Sequence, residues 1–164
     1  MLSPERTIRP AALFSPDRRH RYGLWRYWGT GSRTVMFIGL NPSTADEIRD
    51  DPTVRRCIGY AKTWGFDQMC MTNLFAYRAT LPADMRQAPD PIGPDNDRYL
   101  LEFARRAELV VAAWGAYGGH LDRETRVRHL LRDTALHCLG RTKTGHPKHP
   151  LYLRADLRPI PYGD

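Results

Sequence analysis

The run Val35-Met36-Phe37-Ile38-Gly39-Leu40 passes directly into Asn41-Pro42-Ser43, and this junction restricts the possible folds more than any other stretch. A short continuous apolar run bounded by turn residues fits a strand covered on both faces. Asn-Pro then signals a turn. Three further segments repeat the pattern: Gln68–Leu74, Leu109–Trp114 stopped by Gly115, and Ala135–Leu139. The segments between them read as helices. Asp51-Pro52 supplies a capping carboxylate and a proline suited to a first turn. Val54, Cys57, Ile58, Ala61 and Trp64 then form one apolar stripe, closed by Gly65. Gly93-Pro94 opens a second helix with Leu100, Phe103, Ala104 and Ala107 inward, and Leu121–Leu131 reads as an Arg-rich amphipathic third. Strands alternating with helices predict a three-layer α/β/α fold around a central, mainly parallel four-stranded sheet over residues 34–153. Length, 164 residues, predicts one domain.

Residues 1–33 form a basic, aromatic extension. Tyr22, Trp25, Tyr27 and Trp28 are interleaved with Arg18, Arg19, His20, Arg21 and Arg26. We read it as a β-hairpin on the sheet edge, aromatics inward and arginines outward. The same mixture also suits stacking on bases and pairing with phosphates. The net charge of +7 favours polyanionic partners, with DNA or nucleotides the expected class. The excess of 22 Arg over 3 Lys is equally a mark of GC-rich coding. Met1–Pro10 has no signal-peptide stretch, and no apolar run reaches bilayer length. A cytoplasmic protein without a membrane partner is therefore expected.

In a parallel sheet, ligands bind beyond the carboxyl ends of the strands. That places Gly39, Leu40, Asn41, Pro42 and Ser43 beside Asn73 and Phe75, then Trp114 and Gly115, then the loop of His146 and His149. Side-chain amides offer a donor and an acceptor to a flat heterocycle, Phe75 or Tyr77 can stack on it, and a histidine can support a developing oxyanion. Each has a bland alternative, turn formation for Asn41 and loop pinning for Asn73. Asp46, Glu47, Asp50 and Asp51 follow the first turn; a carboxylate there can activate water, hold Arg55 and Arg56 for a phosphate, or merely cap a helix. Arg55, Arg56, Arg78 and Lys148 are the expected nucleic-acid contacts. Cys57, Cys70 and Cys138 lack metal spacing and read as buried apolar residues. No GxGxxG, GxxxxGK[ST] or GxSxG motif occurs, which disfavours a dinucleotide oxidoreductase, a P-loop ATPase and a serine hydrolase, and no third ligand is spaced to match His146 and His149, so neither a cofactor nor a metal is expected.

The stretches MFIGLNPSTADE, DDPTVRRCIGYAK, TNLFAYRAT, PDPIGPDND, VVAAWG and GHPKHPLYL resemble an uncharacterised bacterial and phage family, domain of unknown function 1643, over roughly residues 20–153. More distantly, GLNPS, MTNL, LVVAAWGAYGG and HPKHPL are similar, in order, to four motifs of the uracil-DNA glycosylase superfamily. That second resemblance implies a glycosylase fold and hydrolysis of an N-glycosidic bond. It implies that Asn41 positions the attacking water, Asn73 reads the base edge, and His146 supports the departing base. His149 is an alternative match for that last role. Phe75 lies near a stacking position, Lys148 takes a serine place, and Leu151 becomes the wedge that fills the emptied stack. Asn41 stands where the most active members have Asp, and an amide cannot take a proton. Ser43 replaces a bulky Tyr. The alternatives to a glycosylase are a non-catalytic binder of nucleic acid or nucleotide, and a small-molecule hydrolase using Asp46, Asp50 or Asp51.

Overall fold

A computed structural model describes residues 11–163. Residues 1–10 of the basic extension lie outside the described residues. The chain runs β1 (Ala12–Phe14), β2 (Arg21–Tyr27), β3 (Thr34–Gly39), α1 (Pro52–Thr63), β4 (Gln68–Asn73), α2 (Pro82–Gln87), α3 (Asn96–Arg106), β5 (Leu109–Ala112), α4 (Arg123–Leu130), β6 (Leu136–Cys138) and β7 (Ile160–Pro161). All the strands join one sheet in the order β1-β2-β4-β3-β5-β6-β7.

The four expected strands are the parallel centre, β4-β3-β5-β6. The sheet nevertheless has seven strands, not four. The basic extension supplies two: β1 pairs antiparallel with β2, and β2 pairs antiparallel with β4. The hairpin thus prolongs the sheet itself. At the other edge β7 adds antiparallel to β6. Ile160 and Pro161 are both exposed, so this strand lacks the apolar alternation that would announce it.

Alternation along β3 divides the core. Val35 and Phe37 pack with Val54, Cys57, Tyr60 and Ala61 of α1. Met36 and Ile38 face the opposite layer, with Met85 of α2, Leu100 and Phe103 of α3, and Val127 of α4. Helices therefore cover both sheet faces. The α1 stripe forms as its spacing requires, with Pro52 in the first turn and the Asp51 carboxylate accepting from the Val54 amide at 2.8 Å. The three cysteines are buried, and burial pushes the Cys57 and Cys70 thiols well above their ordinary range. No helix among the described residues is long and apolar enough to cross a membrane.

The hairpin departs from the expected face pattern. Tyr22 and Leu24 are buried and Trp25 packs edge-on against Phe103 at 4.9 Å. Arg21, expected outward, is also buried. The register shifts between Leu13 and Phe14, which pair with Gly23 and Arg21 and skip Tyr22. An extra residue in one strand breaks the two-residue alternation, and here it does so where Arg21 enters the interior. Arg26 is partly buried as well: its guanidinium meets Asp50 at 2.7 Å and the carbonyls of Asp46 and Arg49.

Candidate functional site

Beyond the carboxyl ends of β3, β4 and β5 lies a cleft of about 580 Å³, a volume ordinary for a small-molecule site. From the first strand end it receives Gly39, Leu40, Asn41, Pro42 and Ser43. Asn73 comes from the second, and Trp114 and Gly115 from the third. His149 and Leu151 close it from the C-terminal loop. Apolar wall is added by Met71 and Val54.

Local bonds fix each polar group. The parallel ladder continues past β3, with the amides of Leu74 and Phe75 donating to the carbonyls of Gly39 and Leu40. Asn41 Nδ2 donates to Ala79 O at 2.8 Å and to Pro42 O at 3.2 Å. Those bonds consume its donors and leave Oδ1 as the atom available to a ligand. Asn73 is 2% exposed. Its carbonyl accepts from Asn96 Nδ2, and its Oδ1 faces Arg21 at 3.4 Å. Its Nδ2 makes no bond to protein among the described residues and is the donor left for a ligand. Gly39 permits this packing, because a Cβ there would lie 2.8 Å from Asn73 Nδ2.

Gly115 adopts φ +75° and donates its amide to Pro147 O. This bond draws the 146–151 loop against the end of β5. His149 Nδ1 there accepts from the Leu151 amide at 3.2 Å. The neutral ring therefore carries its proton on Nε2. Burial lowers the His149 pKa, with Asp51 opposing the shift. The site thus holds a neutral imidazole N–H, a donor suited to a developing oxyanion. Because the folded state takes up this proton less readily than the unfolded chain, stability will rise with pH in the window just below 6.5. In a His149→Gln variant, the slope of unfolding free energy with pH should flatten there. Denaturant titrations between pH 5 and 7 measure it, and an unchanged slope would contradict the depressed pKa.

His146 lies outside the lining. Its Nδ1 sits 3.2 Å from Glu124 Oε2, and Glu124 Oε1 also accepts from Trp114 Nε1 and the Tyr162 hydroxyl. Phe75 is wholly buried in the core, tilted against His120. The acidic cluster divides in the same way. Asp46 accepts from the amides of Ile48 and Arg49, Glu47 pairs with Arg18 at 2.6 Å, and Asp50 pairs with Arg26. Only Asp51 of the four reaches the cleft. One of its oxygens caps α1, and its charge acts on both Arg21 and His149. Arg55 and Arg56 line a shallow groove that shares Pro52 and Leu151 with the cleft. Arg78 lies over Phe14 and Lys148 is exposed beyond the lining. Among the described residues, no group of three or more His, Cys, Asp or Glu is arranged to hold a metal ion.

Arg21 is a charged lining residue that strand-end reasoning does not reach. It lies at the start of β2, and the shift in hairpin register carries it inward.

A family model described as a protein of unknown function (DUF1643) matches residues 21–151. The chain belongs to this family. The DUF1643 match begins at Arg21 and ends at Leu151, both of which line the cleft. It therefore spans every residue placed in the site, while β1 and β7 fall outside it. No curated protein and no solved structure matches the chain.

Proposed function

We propose that this DUF1643 protein is a glycosylase-like hydrolase that cleaves the N-glycosidic bond of a base in DNA or of a nucleotide. The observation that carries the reading is one mostly apolar cleft holding Asn41 Oδ1, Asn73 Nδ2, the neutral His149 ring and the Asp51 carboxylate. The four ordered motifs similar to the uracil-DNA glycosylase superfamily support the same chemistry.

The roles follow from which atoms are left unbonded. A planar base enters edge-first between apolar walls that include Trp114 and Met71, and Asn73 Nδ2 donates to an acceptor on its edge. His149 Nε2–H donates to the oxygen that gains charge as the bond breaks. Asn41 Oδ1 accepts from the attacking water and orients it, but an amide cannot remove the proton. Asp51 is the one carboxylate on the lining, and it takes that proton as general base. Water adds to the sugar carbon, and the base departs as an anion that is then protonated. Outside the cleft, Arg55 and Arg56 carry the phosphates that flank the base.

The test is incubation with oligonucleotides bearing uracil, mismatches or modified pyrimidines, and with nucleosides and nucleotides. Release of free base is expected from at least one class, and Asn41→Ala should slow it by about 10²-fold. Asn41 also ties the 79–80 loop, so circular dichroism must accompany that variant. If no substrate in either class loses its base, the reading fails. Tight, salt-sensitive DNA binding without turnover would instead mark a binder.

A further inference from the structure

Among the buried charged side chains of the described residues, each but one has a charge-matched or capping role. Arg123 meets Asp97 at 2.6 Å and Asp51 caps α1. Arg21 differs. It is 2% exposed, yet no described carboxylate comes within ion-pair distance. Its Nη1 donates to Ala45 O at 3.0 Å and its Nη2 reaches Asn73 Oδ1 at 3.4 Å, both neutral acceptors. Its Nε is buried with no partner at all. A desolvated cation is costly unless an anion and a full set of acceptors accompany it. Burial has pushed the Arg21 pKa down to about 10, so the group remains charged at neutral pH. The Asp51 charge favours the cation but lies beyond ion-pair reach, so Arg21's place on the cleft lining makes a ligand the available source of an anion in contact with it.

The surroundings restrict that anion. The lining is chiefly apolar, with Pro42, Val54, Met71, Trp114 and Leu151 around the polar floor. Asp51 stands on the same lining and repels a dianion such as a phosphate monoester more strongly than a single negative charge. A single charge carried on a flat ring meets both conditions. We infer that the cleft is built for a planar heterocycle bearing one carboxylate, with that carboxylate turned toward Arg21. Asn73 Nδ2 is the neighbouring donor, and Arg21 is the residue that sets the selectivity. This inference rests on the cleft being the ring-binding site of the proposed glycosylase-like reaction, and it names the kind of ring.

The experiment compares uracil-5-carboxylate with its methyl ester by calorimetry on the full chain, with uracil and inorganic phosphate as further probes. The acid and the ester share a ring and nearly share a shape, so their ratio isolates the charge. In the wild type the acid should bind at least about tenfold more tightly than the ester, as a charge-assisted contact allows. The ratio should fall toward one in Arg21→Met and persist in part in Arg21→Lys. Equal binding of acid and ester by the wild type overturns the inference and leaves the glycosylase reading standing. So does an acid preference that survives intact in a folded Arg21→Met. Phosphate that competes at the same concentration as the acid also overturns it, in favour of a phosphate site. Failure of every ring to bind overturns the inference, and base release from the oligonucleotides and nucleotides then decides the glycosylase reading separately. If Arg21→Met does not fold, the wild-type ratio and Arg21→Lys decide.

Discussion

Replacing Asp51 with asparagine will leave the chain folded and slow base release by about 10²–10⁴-fold. The carboxylate has two jobs, and the substitution separates them. One oxygen accepts from the Val54 amide and starts α1, and asparagine caps a helix about as well as aspartate. Proton acceptance has no such substitute. The electrostatic consequences run the same way. Asp51 raises the His149 pKa against the effect of burial, so its neutralisation lowers that pKa further and keeps the imidazole neutral. A slow Asp51→Asn enzyme is then not slow through a changed histidine charge. Asp51→Ala gives the contrast, since it loses the cap as well and should cost about 0.5–2 kcal/mol of stability. Melting curves paired with single-turnover rates on all three proteins distinguish the two jobs. Wild-type turnover by Asp51→Asn would remove Asp51 from the reaction and require another acceptor for the proton of the water that Asn41 orients.

The strand ends were readable because the rule that locates them depends on the chain alone. Asn41 and Asn73 each follow an apolar run, and parallel pairing of β3 with β4 sets Gly39 opposite Asn73. Phe75 obeyed the same rule of position and went elsewhere, because the Phe75 amide bonds to Leu40 and its side chain turns into the core. His146 and His149 carry equal signals in the sequence. What divides them is Glu124, at the start of α4, which occupies the His146 ring and has no spacing relation that would betray it. Among four neighbouring carboxylates, two are taken by Arg18 and Arg26 of the hairpin and a third by amides of its own loop. Arg21 was hidden for a related reason, since the register shift in the hairpin reverses the face its position implies. The short helix α2 leaves no mark in the sequence, because its six residues are too few to show a stripe.

Trp114→Ala will destabilise the protein by about 3–5 kcal/mol, the range for emptying a large aromatic from a core. The ring is 1% exposed and belongs to the cluster formed by α3, α4 and β5. It is also a wall of the cleft, so the loss is not confined to packing. Its Nε1 donates to Glu124 Oε1 at 3.1 Å, where the Tyr162 hydroxyl and His146 converge. Burial and the adjacent Glu124 charge push the Tyr162 pKa up to about 12, which keeps the phenol a donor. Glu124 thus joins the end of β5, the loop that presents His149, and the segment that follows β7. Trp114→Phe isolates this hub, since it retains most of the volume and removes only the N–H. Its expected cost is about 1–3 kcal/mol, the penalty for leaving a buried polar group short of a partner. Because Glu124 holds His146 and the Gly115 amide holds Pro147, Trp114→Ala should also loosen the loop between them and weaken ligand binding at His149. Urea denaturation of both variants, with ligand titrations on whichever remains folded, measures the two effects. A cost below about 1 kcal/mol for Trp114→Ala would mean that the cleft wall and the core are not the single packed unit described.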